Sequence, residues 1–166
     1  LGSMFEKTSY DQIYDEHIFM FSASSISKIF KKFGFYLNDV IPQNTHGGSM
    51  RYIVSREKDK NSKNLSKVLT YEVENKFDQI ESCIQFKKNC ETSKENIINK
   101  IKKFKQIGKS ICGYAATSKS TTILNYCNIG TDYIDYICDT TKEKIGKFSP
   151  GTHIPIKDME YFRNNM

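Results

Sequence analysis

Residues 111–126 read Ile-Cys-Gly-Tyr-Ala-Ala-Thr-Ser-Lys-Ser-Thr-Thr-Ile-Leu-Asn-Tyr. A short apolar run ends in a small-residue turn carrying hydroxyls and one lysine, and an apolar-periodic segment follows. That order predicts a strand, a phosphate-sized loop and a helix start. Tyr133-Ile-Asp-Tyr-Ile-Cys138 then reads as a second buried strand, with Asp139 where its carboxyl end emerges. Together they make a βαβ unit over about residues 110–156. The predicted fold is α/β, a Rossmann-like, mostly parallel sheet flanked by helices.

Working outward, Ile26, Ile29, Phe30 and Phe33 recur at i, i+3, i+4 and i+7 between capping serines and Gly34, which predicts an amphipathic helix. Phe35 to Ile41 reads as a strand broken by Pro42 and by Thr45-His46-Gly47-Gly48-Ser49, and Met50 to Ser55 returns as a strand. The paired glycines suit close approach to a ligand or an ordinary hairpin loop equally. Arg56 to Asn64 is a charged, exposed connector. Helical patterns follow from about Ser66 to Cys90 and from Ser93 to Ile107, the second with Ile97, Ile98, Ile101 and Phe104 on one face and Lys102 and Lys103 on its solvated side. After the βαβ unit, Pro150-Gly151 marks a turn before a final short strand.

The chain of 166 residues suits a single domain over residues 4–166, with the arm and first strands at about 8–55 and helices at about 66–107. Leu1-Gly2-Ser3 before Met4 reads as a protease-cleavage scar from an expression vector and is left out of the predicted fold. The net charge of +6 suggests anionic partners, but the lysines are scattered, which disfavours nucleic acid and leaves a phosphorylated small molecule. Five cysteines, odd in number and without a C-x-x-C pair, predict a reduced, cytosolic (cytoplasmic) protein with no zinc or other metal site, and buried Cys112 and Cys138 thiols would be inert. No run approaches a membrane span in length, so no membrane partner is expected.

Three polar loops, around His17, from His46 to Ser49 and from Tyr114 to Ser120, flank predicted strands, where ligand crevices of open α/β sheets lie. In the third, the hydroxyls of Thr117, Ser118 and Ser120 face a helix N-terminus and Lys119 adds a full charge, a setting that favours anions. Lys144, Lys147 and His153 offer further cations, or are simply surface residues. In the arm, Asp15-Glu16-His17 sits against an apolar run, the setting in which a pKa shifts; the plainer reading is a surface loop anchored by Phe19 and Phe21. Neither G-x-x-x-x-G-K-[ST] nor G-x-G-x-x-G occurs, and there is no glycine-rich loop for S-adenosylmethionine.

Taken together, Tyr14-Asp15-Glu16-His17, Thr45-His46-Gly47-Gly48-Ser49-Met50-Arg51, Gly113-Tyr114-Ala115-Ala116-Thr117-Ser118-Lys119-Ser120, Leu124-Asn125-Tyr126-Cys127 and the stretch from Gly146 to Pro155 resemble the C-terminal domain of the S-adenosylmethionine-dependent nucleotide-sugar C-methyltransferases. The match covers Tyr10 to Ile156. It implies methylation of a sugar carbon beside a 4-keto group on a nucleotide-diphosphate sugar. Such chemistry needs a base for the carbon-bound proton and a donor for the enolate oxygen. The resemblance maps the family's Tyr-x-Glu-His motif onto an N-terminal loop arm, which assigns His17 as general base, Glu16 as its orienter or a sugar contact, and Tyr14 as a donor to substrate. His46, Gly47, Ser49, Tyr114, Thr117, Ser118, Lys119, Ser120, Lys147 and His153 are the expected contacts to the sugar nucleotide.

Two substitutions depart from the pattern: Ala115 stands where a glycine is usual, and Asp15 where a histidine is common. The zinc-binding and methyl-donor domains of the family have no counterpart in the sequence. S-adenosylmethionine is therefore expected to bind mainly on an absent domain, either cut away or carried by a separate donor and zinc-domain polypeptide, and the chain alone should not methylate. The alternative is a non-catalytic sugar-nucleotide-binding module or lapsed split-enzyme fragment.

Overall fold

The computed structural model describes residues 1–60 and 62–165. The chain folds as two compact units, one of Leu1–Ser9 with Ile18–Asn89, the other of Tyr10–His17 with the chain from Cys90 onward.

The first unit opens with α1 (Gly2–Lys7), so of the residues set aside as a scar Gly2 and Ser3 are helical and Leu1 is the N-cap. Helix α2 (Ala23–Lys31) starts where Ser22 and Ser25 form a reciprocal capping box. Strands β1 (Tyr36–Gln43) and β2 (Ser49–Ser55) pair antiparallel, and helix α3 (Lys63–Glu74) follows. Ala23, Ile26, Leu37, Val40 and Leu65 form the core, with Phe30 and Val68 packed around them. Glu72 is buried and caps α2 from α3, accepting from the Ala23 and Ser24 N–H groups at 2.6 and 2.9 Å and from the Ser24 hydroxyl. A bulge between Leu37 and Asp39 frees Asn38, whose amide donates to Ser55 Oγ (2.8 Å) and the Glu57 carbonyl (3.0 Å) and fastens the start of the charged connector.

The second unit holds β3 (Cys112–Tyr114), α5 (Ser118–Cys127), β4 (Tyr136–Cys138), β5 (Ile156–Lys157) and α6 (Met159–Asn164). Helix α4 (Ile80–Gln106) begins in the first unit and ends in the second. The strands form a parallel sheet in the order β3-β4-β5, so the predicted βαβ unit is present as β3-α5-β4. Leu124, Cys127, Ile129, Ile134, Ile137 and Ile154 form its core, covered by Ile97, Ile98 and Ile101 of α4.

Four expectations are corrected. The sheet is not one mostly parallel array: among the described residues β1 and β2 form a separate antiparallel pair. Pro42 does not break β1: it pairs with Met50 in a two-stranded sheet, where an edge strand tolerates a missing N–H. The helix break expected near Glu91 falls instead at Asn75–Gln79, where Lys76 turns left-handed (φ +54°), and Phe104 of α4 is exposed. The Cys112 thiol is exposed on an edge strand, whereas Cys90, Cys127 and Cys138 are buried. Among the described residues no helix is long and apolar enough to cross a membrane.

Asp139, at the end of β4 and 4% exposed, braces the loop after β3. Its carboxylate accepts from the main-chain N–H of Ala116 and of Thr141, each at 2.8 Å. Lys144 lies 3.5 Å from it and donates to the Ala116 carbonyl at 2.7 Å. Burial pushes this carboxyl up, but the hydrogen bonds from Thr141 and Ala116 and the Lys144 charge outweigh it and hold it at about 2. Asn125 donates from its amide to the carbonyls of Thr121 (2.8 Å) and Pro150 (3.0 Å) and clamps the Pro150-Gly151 turn.

Asp139→Asn should lower unfolding free energy by about 2–4 kcal/mol, since a buried charge-assisted network loses its acceptor. The folded carboxyl titrates below the unfolded one, so its contribution is complete above pH 4 and lost as pH falls toward 2; denaturant titrations should show the variant losing less stability than wild type across that range. Gly151→Ala should cost about 2 kcal/mol in the same assay, because φ is +76° and a Cβ would lie 2.0 Å from Asn125 Oδ1.

Candidate functional site

The arm Tyr10–His17 belongs to the unit that carries the β3–α5 loop. It is fastened by Tyr10, not by the phenylalanines: Phe19 is 71% exposed, whereas Tyr10 is buried against the Tyr126 ring at a centroid distance of 5.1 Å. The Tyr10 hydroxyl lies 3.5 Å from Ser93 Oγ and 3.7 Å from Cys127 Sγ, and burial beside that thiol pushes the phenol up to about 12. Farther along, Thr122 of α5 donates to the Ile13 carbonyl at 3.1 Å, and Lys119 Nζ stands 3.9 Å from Asp11.

Tyr14-Asp15-Glu16-His17 is a β-turn closed by the His17 N–H on the Tyr14 carbonyl at 2.9 Å. The i, i+3 spacing brings the two rings together at a centroid distance of 4.1 Å and leaves Asp15 and Glu16 exposed at the corner. His17 Nδ1 lies 2.8 Å from the Gln12 carbonyl oxygen. A carbonyl only accepts, so Nδ1 carries the hydrogen and, in the neutral ring, Nε2 is the basic nitrogen. Nε2 in turn meets the Tyr14 hydroxyl at 3.0 Å and accepts from it. The group that orients His17 is thus a main-chain carbonyl, while Glu16 faces solvent.

At the head of α5, Thr117 and Ser120 cap one another. Thr117 Oγ1 accepts from the Ser120 N–H at 3.1 Å and Ser120 Oγ from the Thr117 N–H at 2.9 Å. The Ser120 hydroxyl also donates to the Thr117 carbonyl at 2.8 Å, while on the first turn Ser118 stands exposed and Lys119 half-buried. Beside this helix end is a cavity of about 370 Å³ whose floor is Ile123, Leu124, Ile134 and Ile137 and whose mouth carries Asp11, Tyr114, Lys119 and Ser120. The Tyr114–Ala115 peptide is cis, and Tyr114 is 77% exposed. Lys147 and His153 are exposed on the loop that Asn125 clamps.

His46, Gly47 and Ser49 belong to the first unit. Thr45–Gly47 is a single 3₁₀ turn with His46 at φ +53°. Lys7 donates to the Gly47 carbonyl at 2.7 Å and the Ser49 hydroxyl to the Thr45 carbonyl at 3.2 Å. Sequence reasoning missed Tyr10, Asp11 and Gln12: the first has the signal of a lone buried aromatic, the second of a carboxylate one residue on, and the third acts through its backbone.

The profile described as the C-methyltransferase C-terminal domain matches residues 44–166. C-methyltransferase NovU of Streptomyces niveus is 27% identical over 158 residues, which are 94% of this chain and 38% of that protein. The chain therefore spans well under half the length of this relative. With most of its residues inside the profile, and the arm and the β3–α5 loop folded into one unit, the chain belongs to the C-methyltransferase C-terminal domain family.

Proposed function

We propose that this chain is the substrate-side domain of an S-adenosylmethionine-dependent C-methyltransferase acting on a nucleotide-linked 4-keto sugar. The observation that carries the reading is the Tyr14–His17 pair, oriented by the Gln12 carbonyl. A carbon-bound proton beside a ketone is removed only by a placed base while the enolate oxygen is stabilised. The Tyr14 hydroxyl is hydrogen-bonded to His17 Nε2. A ketone oxygen competes for that hydroxyl, and as Tyr14 turns to it, Nε2 is left free to take the proton. The imidazolium so formed keeps its Nδ1–H on the Gln12 carbonyl, and the electron pair of the broken C–H bond moves onto the oxygen that Tyr14 holds.

The residues present do not fit the methyl donor: no glycine lies between the end of β3 and the Thr117 cap, where a glycine-rich turn would be needed. The greater length of the relative supports a donor half on a further domain or a separate polypeptide.

The test is exchange of the proton next to the ketone into D2O, followed by NMR with a 4-keto sugar nucleotide. Wild type should exceed buffer. His17→Asn should lose about 10²- to 10⁴-fold of that enhancement and Tyr14→Phe about 10²- to 10³-fold. Equal exchange in wild type and His17→Asn would remove the base assignment; binding without any exchange would leave a binding module.

A further inference from the structure

Resting on the substrate-side reading above, we infer that the cavity beside α5 seats the nucleobase of the sugar nucleotide, with Tyr114 stacked on its face and Asp11 and Lys119 reading an edge that offers an N–H next to a C=O. The diphosphate lies outside the cavity.

The lining decides this. A floor of Ile123, Leu124, Ile134 and Ile137 offers nothing to a phosphate, whereas a flat neutral ring gains by leaving water there. The volume of about 370 Å³ lies within the range of small-ligand pockets. The space exists because residue 113 has no side chain: a Cβ on Gly113 would already stand 3.0 Å from Ile137 Cγ1, and a larger group would have to project into the cavity. Tyr114, next in the strand, is an exposed aromatic at the rim, and an aromatic face is what a base stacks on.

Charge points the same way. The Asp11 carboxylate repels phosphate from the cavity mouth and offsets the Lys119 charge that would attract it. The two groups are 3.9 Å apart, too far for a direct hydrogen bond, so both keep capacity for a ligand. Asp11 can accept from a ring N–H while Lys119 donates to the neighbouring carbonyl oxygen. The Ser120 hydroxyl, which would have favoured phosphate, is spent on the cap: it accepts from the Thr117 N–H and donates to the Thr117 carbonyl. Asp11 also stands on the arm that bears Tyr14 and His17, so one short segment touches both ends of the substrate.

Calorimetric titration of this chain with thymidine, thymidine diphosphate and inorganic pyrophosphate tests the assignment, using wild type, Asp11→Ala, Tyr114→Ala and Gly113→Val. Thymidine should bind without its phosphates. Asp11→Ala and Tyr114→Ala should each weaken it about tenfold or more, and Gly113→Val should abolish it. Pyrophosphate affinity should be unchanged or stronger in Asp11→Ala. Thymidine affinity indifferent to Asp11→Ala and Tyr114→Ala, both at surface positions, overturns the inference even if Gly113→Val misfolds. So does displacement of thymidine by pyrophosphate, or failure of thymidine to bind. Because none of these ligands carries the 4-keto sugar, the results are independent of His17-dependent proton exchange, and either can fail alone.

Discussion

The second unit depends on one carboxylate. Asp139 leaves β4 in a place where the main chain of two loops has donors with no strand to pair with, and it satisfies one from each. Lys144 closes the arrangement by neutralising Asp139 and occupying the Ala116 carbonyl. A loop of small residues has little apolar surface with which to hold itself, so its shape comes from these polar contacts. The position of the α5 cap follows from the position of Ala116, and the cavity wall follows from α5.

Within that frame the site divides by polarity. The cavity floor is continuous with the hydrophobic core, since Leu124, Ile134 and Ile137 belong to both. Charged and aromatic groups are confined to the mouth. The Tyr14–His17 pair stands on an arm held by its own turn, by contacts to α5 and by the one buried ring of Tyr10. Ile18, just past His17, is 78% exposed.

Much of this was legible in the residues. The β3-α5-β4 unit followed from an apolar run, a small polar turn and a renewed apolar period, and α2 from its spacing and serine cap. Asp139 was recognisable as a strand-end carboxylate, whereas Tyr14 and His17 were singled out only by the resemblance to the Tyr-x-Glu-His motif. What escaped was whatever depends on main-chain atoms or distant partners. The Gln12 carbonyl carries no side-chain signature, and Tyr10 looks like any aromatic until Cys127 and Tyr126 are placed around it. The reciprocal capping of Thr117 and Ser120 fits the capping-box spacing, but phosphate binding asks for the same hydroxyl residues, so composition alone did not separate the two. The helix break moved because Glu91-Thr92-Ser93 has no strong breaker, whereas Lys76 adopts a left-handed conformation that periodicity does not reveal.

The Tyr10 anchor has a consequence for the order in which the molecule is built. Its partner Cys127 lies 117 residues along the chain, so seating the arm closes a very long loop and carries the corresponding entropy cost. Helices α4 and α5 and the hairpin β1–β2 form from near neighbours and can precede it. The cavity is then available before the Tyr14–His17 pair arrives. The arrangement of Tyr14 and His17 beside α5 is thus the last feature the second unit acquires on folding and the first it gives up on loosening.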